Sequence, residues 1–118
     1  MPFSIDGHVA LVTGSTTGLG KAIAKKLGHC GAKVALNYFN NTQRAEATLE
    51  EFKAAGIACI LTKSNVTDES SVDEMFSKIE RELGNVDIFV ANATPDQPLR
   101  PIEEYDWGFY QSMLDFFV

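Results

Sequence analysis

The chemistry open to this chain begins at Gly14, Gly18 and Gly20, which follow Thr13 in the order T-G-x-x-x-G-x-G. Glycines so spaced let a backbone turn sharply and come close to a ligand. If a helix starts inside such a turn, its first N–H groups lack intrahelical acceptors and its dipole is positive there, so the natural occupant is an anion. Gly14 would allow the turn, Gly18 would let the backbone approach a pyrophosphate, and Gly20 would let helix and strand pack closely. The order excludes two commoner phosphate loops. A Walker A loop requires glycine five residues before its Gly-Lys pair and Ser or Thr after it, and here those places hold Ser15 and Ala22. The G-x-G-x-x-G fingerprint fails as well, because the single-residue gap comes second.

Other reactive side chains are scattered. His8 and His29 have no partners at metal-ligand spacing, so no metal site is expected. Cys30 and Cys59 form neither a C-x-x-C nor a zinc pattern and read as buried reduced thiols. A net charge of −6 argues against nucleic acid or an anionic membrane as partner. With 118 residues, 45% hydrophobic and 22% charged, the chain is long enough for one domain with a real core, residues 1–118. Asn40-Asn41-Thr42 and Asn65-Val66-Thr67 match the glycosylation pattern, but no secretory signal or membrane span precedes them, and a cytoplasmic setting is expected.

The elements that must hold the glycine turn are legible from periodicity. Val9–Val12 is an unbroken apolar run, as expected of a strand buried on both faces of a parallel sheet. Leu19, Ala22, Ile23 and Leu27 then fall at helical spacing and form the expected packing stripe. Residues 33–36 read as a second strand. Asn40-Asn41-Thr42 reads as a turn and cap, opening a helix through Ala45, Leu49 and Phe52 that Gly56 stops. Residues 57–61 read as a third strand. Thr67 is the expected cap of a helix whose stripe is Val72, Met75, Phe76, Ile79 and Leu83, closed by Gly84; residues 86–91 read as a fourth strand. Such alternation requires right-handed crossovers and predicts an α/β fold: a Rossmann-like, doubly wound parallel sheet with helices on both faces and strand order 3-2-1-4. Pro101 suits a helix start, and residues 102–118 carry two apolar stripes with no terminating signal, so a truncated first half of the fold is expected.

A V-A-L-V strand running into T-G-x-x-x-G-x-G resembles the classical short-chain dehydrogenase/reductase family. The resemblance covers the whole chain and implies a nicotinamide dinucleotide as cofactor. It implies a pyrophosphate cradle at residues 13–20, with Thr13, Gly14, Ser15, Thr17, Gly18, Leu19 and Gly20 as its residues. The ribose-reading position at the end of the second strand is Asn37-Tyr38-Phe39. NAD-preferring relatives place an acid there; Tyr38 would not repel the 2′-phosphate of NADP, so the reading leans to NADP with NAD as the other option. No arginine stands beside Tyr38 in sequence, and Thr17 replaces the basic residue of many NADP users. The family's Asp-Val after the third strand appears as Asn65-Val66, whose Asn carbonyl could accept from the adenine amino group. Its Asn-Asn-Ala-Gly after the fourth strand appears as Ala91-Asn92-Ala93-Thr94. Asn37-Tyr38 followed by Asn40-Asn41 is similar to bacterial 3-oxoacyl-acyl-carrier-protein reductases.

The family's proton donor is a tyrosine with a lysine four residues later. Tyr38, Tyr105 and Tyr110 are followed at that spacing by Thr42, Phe109 and Leu114, so no catalytic residue is assigned. The place of the family's catalytic asparagine, seven after Trp107, also falls on Leu114. The leading expectation is therefore the cofactor-binding half of an oxidoreductase, inactive by itself. The alternative is a non-catalytic module that binds a dinucleotide or a partner chain. An S-adenosylmethionine methyltransferase would want an acid at Tyr38 and another glycine order. Homo-oligomers are expected, through Trp107, Tyr110, Leu114 and Phe117 of the last helix or through the open edge of the fourth strand.

Overall fold

A computed structural model describes residues 4–93 together with 107, 108 and 111. Four parallel strands lie in the order β3-β2-β1-β4: β1 is Val9–Val12, β2 Lys33–Tyr38, β3 Cys59–Lys63 and β4 Ile88–Val90. Helices α1 (Gly18–His29), α2 (Thr42–Ala54) and α3 (Glu69–Glu82) connect them. Every residue of β1 is buried, which is why its sequence shows no polar alternation. The two faces separate by residue parity. Val12, Val34 and Leu36 pack with Ala24 of α1 and Phe52 of α2, whereas Val9, Leu11 and Ala35 pack with Met75 and Ile79 of α3. Two helices thus cover one face of the sheet and α3 covers the other. The expected Rossmann-like sheet and its order are what the chain adopts.

Local departures from the sequence reading have physical causes. In α1 the packing face is set by Gly20 and Ala24, both buried, with Ile23 and Leu27 beside them; Leu19 is 70% exposed and Ala22 is exposed, so neither belongs to the stripe. The helix lies so close at Gly20 that a Cβ there would run into the Asn92 amide and the Gly14 carbonyl. That contact fixes the helix rotation and turns Leu19 outward.

The third strand begins two residues later than expected. Ile57 is buried as the end of the turn leaving α2, its N–H donating to Phe52 O at 3.1 Å. The cap of α3 is Asp68, which accepts from Ser70 N–H at 3.2 Å, and not Thr67. Cys30 is exposed at the end of α1 rather than buried, while half-buried Cys59 has its thiol pKa raised by desolvation.

β4 is shorter than residues 86–91, because Asp87 is used to anchor its start. Asp87 N–H donates to Val9 O at 2.9 Å, and its carboxylate accepts from Val9 N–H at 3.0 Å. Of the surfaces expected to self-associate, β4 carries Phe89 at 55% exposure and Trp107 is 70% exposed. Tyr110, Leu114 and Phe117 lie outside the described residues, as do Pro101 and Tyr105. Among the described residues no helix is long and apolar enough to cross a membrane.

Among the described residues Phe52 is the largest fully buried side chain, and its removal leaves a cavity between α2 and the sheet. Phe52→Ala should lower unfolding free energy by about 3–5 kcal/mol in chemical denaturation. Phe39→Ala, at a 55% exposed position, should stay within about 0.5 kcal/mol of the parent.

Candidate functional site

The C-terminal ends of all four strands open into one cleft of about 940 Å³. It straddles β1, where the sheet order reverses between β2 and β4; open α/β sheets bind ligands at such a place. The turn from β1 into α1 forms its floor, and that turn is tied down on both sides.

On the β2 side, Gly14 N–H donates to Asn37 Oδ1 at 3.0 Å and Ser15 N–H donates to Asn37 O at 3.0 Å. Asn37 N–H returns a bond to Ser15 Oγ at 2.9 Å. The Asn37 amide nitrogen lies 3.4 Å from Ser64 O and 3.5 Å from Met75 Sδ, which joins the same side chain to the end of β3 and to α3. On the β4 side, Thr13 N–H donates to Val90 O at 3.1 Å. The Thr13 hydroxyl oxygen accepts from Asn92 N–H at 3.0 Å and Ala93 N–H at 3.1 Å. The Asn92 side chain donates to Gly14 O at 3.1 Å. From α2, the Thr48 hydroxyl donates to Thr16 O at 3.1 Å.

Beyond these ties the chain enters α1 with its donors unspent. Thr17, the N-cap residue, is extended and makes no side-chain cap bond, and the first turn contains no acid. Gly18 has φ +59°, and a Cβ built on it would project into open space. A side chain there would be strained and would fill the volume above the helix N-terminus. A cradle of backbone donors that only glycine keeps clear fits a pyrophosphate.

The expected site residues divide into wall and strut. Gly14, Thr17, Gly18, Leu19, Asn37 and Tyr38 line the cleft, and so do Asn65, Val66, Asn92 and Ala93. Thr13, Ser15 and Gly20 do not: they lie behind the wall, Ser15 fully buried and Thr13 nearly so, and hold the turn in place. Asn37 is 2% exposed, with its side-chain atoms engaged as above, so it positions Gly14 while Tyr38 carries the rim.

Thr16 and Phe39, inside the expected cradle and ribose-reading stretch, line the wall as well, whereas sequence reasoning missed Asn40, Ser64 and Thr67 there, and above all Arg44. Arg44 lies in the first turn of α2, where Asn41, in the left-handed region at φ +60°, caps the helix by accepting from Arg44 N–H at 3.0 Å. That reversal returns Arg44 to the cleft that Tyr38 also lines, despite six residues of separation. The signal available was the cap itself, which dates the start of the helix.

Charge around the site is local. Glu51 of α2 pairs with Lys21 at 3.1 Å and Lys25 at 3.0 Å, and hydrogen bonds from these lysines, Lys25 foremost, hold its carboxyl below the usual carboxylate pKa. Arg44 takes part in none of the ion pairs among the described residues. No group of three or more His, Cys, Asp or Glu that could hold a metal occurs among those residues.

Residues 8–116 match the family model described as short chain dehydrogenase. The chain belongs to that family. It is 39% identical over 100 residues to a 3-oxoacyl-acyl-carrier-protein reductase of Staphylococcus epidermidis, an alignment covering 83% of this chain and 41% of the reductase. Its fold superposes on a dehydrogenase/reductase from Sinorhizobium meliloti with a TM-score of 0.86 at 32% identity, over 96% of this chain and 44% of that one. A blue fluorescent protein from a metagenomic library, solved in complex with NADPH, superposes with a TM-score of 0.81 at 28% identity, over 97% of this chain and 47% of that one. The chain therefore spans less than half the length of each of these proteins.

Thr13→Val tests the β4-side tie without touching the cleft wall. It leaves the Asn92 and Ala93 N–H groups without their acceptor, and should cost about 1–3 kcal/mol in chemical denaturation while the circular dichroism of the folded chain is unchanged.

Proposed function

We propose that the chain is the cofactor-binding half of a short-chain dehydrogenase/reductase oxidoreductase and that its cleft holds NADP(H) in preference to NAD(H). The observation that carries the reading is the uncapped N-terminus of α1, presented to the cleft through the open Gly18. A pyrophosphate there would receive N–H groups that no protein acceptor claims. The adenosine side of the dinucleotide would run toward β2 and β3, and the nicotinamide side toward Asn92 and Ala93 at the end of β4. When bound, the nicotinamide supplies a hydride donor or acceptor for a carbonyl or alcohol.

The preference for NADP rests on two residues. Tyr38 stands where an acid would accept from the ribose 2′-hydroxyl and repel a 2′-phosphate. Arg44 lines the same rim with its guanidinium outside the ion pairs described above, and a guanidinium suits a phosphate in charge and shape. Similarity to the 3-oxoacyl-acyl-carrier-protein reductase supports a 3-oxoacyl substrate for the whole enzyme. The present chain has no Tyr-x-x-x-Lys pair; in this reading it binds and orients the cofactor and supplies no proton to the substrate oxygen.

Calorimetric titration with both dinucleotides decides the matter. NADP+ should bind at least about tenfold more tightly than NAD+, the size expected for charge-assisted bonds. Arg44→Ala should remove most of that difference, and Gly18→Val should abolish binding of both. Tighter binding of NAD+, or no binding of either at millimolar concentration, would refute the reading.

A further inference from the structure

Asn65 closes the β3 end of the cleft, and almost all of its hydrogen-bonding capacity is committed. Its N–H donates to Ser71 Oγ at 3.0 Å and its backbone carbonyl accepts from Asp68 N–H at 3.1 Å. Its side-chain oxygen accepts twice from Thr67, from the backbone N–H at 3.0 Å and from the hydroxyl at 2.6 Å. An amide oxygen has two lone pairs, and both are used. The Thr67 backbone N–H, which can only donate, fixes the oxygen toward Thr67. What remains for a ligand at this wall is the NH2 group: two donors and no acceptor.

The place of Asn65 in the sheet says what such a donor would meet, given the dinucleotide reading of the cleft on which this inference rests. With the pyrophosphate over β1 and the ribose at the end of β2, the purine reaches the end of β3, where Asn65 and Val66 line the wall. Adenine presents an amino donor at position 6, whereas a 6-oxo purine presents an acceptor there. An acceptor at residue 65 would favour adenine. The Asn65 NH2 cannot pair with the amino group; it pairs with a 6-oxo oxygen or with a ring nitrogen. We propose that Asn65 determines base specificity by leaving the 6-amino group unread, so that the cleft takes the 6-oxo (hypoxanthine) analogue of NADP+ about as readily as NADP+ itself.

The test is calorimetric titration of the 118-residue chain with NADP+ and with its hypoxanthine analogue, repeated on Asn65→Asp. Asp keeps the same turn, since one carboxylate oxygen still accepts from Thr67, and offers its second oxygen to the amino group. The parent chain should favour adenine by less than about fivefold, and Asn65→Asp should raise that ratio at least about fivefold, the scale of a hydrogen bond to a charged acceptor. A parent preference for adenine above that limit, or a ratio that the substitution leaves where it was, overturns the proposal while the cofactor reading stands. Binding of neither dinucleotide would refute the cofactor reading itself, and this inference with it.

Discussion

The Asn37 side chain holds the site to the sheet. Parallel strands end with polar backbone groups that the ladder no longer pairs, and the chain must leave β1 through a glycine at φ +62°. At that point Gly14 N–H has no strand partner, and the side-chain oxygen Oδ1 of Asn37 supplies one at 3.0 Å. The mutual bonds between Ser15 and Asn37 extend the β1–β2 connection past the last ladder pair, Val12 with Leu36. An orphaned buried N–H costs about 1–3 kcal/mol, a large fraction of a domain's net stability. The start of α1, the approach of Gly20 to Asn92 and the open space over Gly18 follow from where this tie places the turn.

A net charge of −6 does not rule out an anion at this cleft, because the decisive fields are short-ranged. Charges beyond about 8–10 Å are screened at physiological salt, whereas helix N–H groups act in contact. The first turn of α1 carries no acid, and Glu51, the carboxylate facing α1 from α2, is matched by Lys21 and Lys25. Arg44 then stands at the rim without an ion-pair partner among the described residues. Global acidity speaks to partners such as nucleic acid and says little about a cleft built from backbone dipoles.

Much of this was legible in the sequence, because β1, the helices and the glycine turn are each specified by local periodicity and by residues with few conformational alternatives. The V-A-L-V run admits one reading once a glycine turn and a helical stripe follow it. Long-range contacts were not legible. Leu19 fits the helical stripe in sequence, yet the approach of Gly20 to Gly14 and Asn92 rotates it into solvent. Ile57 has the apolar character of a strand residue but ends the α2 turn, and β3 starts later. Thr67 has the chemistry of a cap, but its hydroxyl goes to Asn65, leaving the cap to Asp68. Arg44 is hidden for a related reason: the reversal at Asn41 returns it to the cleft that Tyr38 lines, and sequence distance gives no hint of that.

The free N–H groups at the start of α1 would receive the ligand, while those of Gly14 and Ser15 are already spent on Asn37. Amide NMR of the isotopically labelled chain, titrated with NADP+, tests this directly. The amides of Gly18 and Leu19, which line the cleft, should move downfield together, as hydrogen bonds to an anion require, while those of Gly14 and Ser15 move little. Contradiction would be saturable binding whose largest changes fall elsewhere, on α3 or on β4, with the Gly18 and Leu19 amides unmoved.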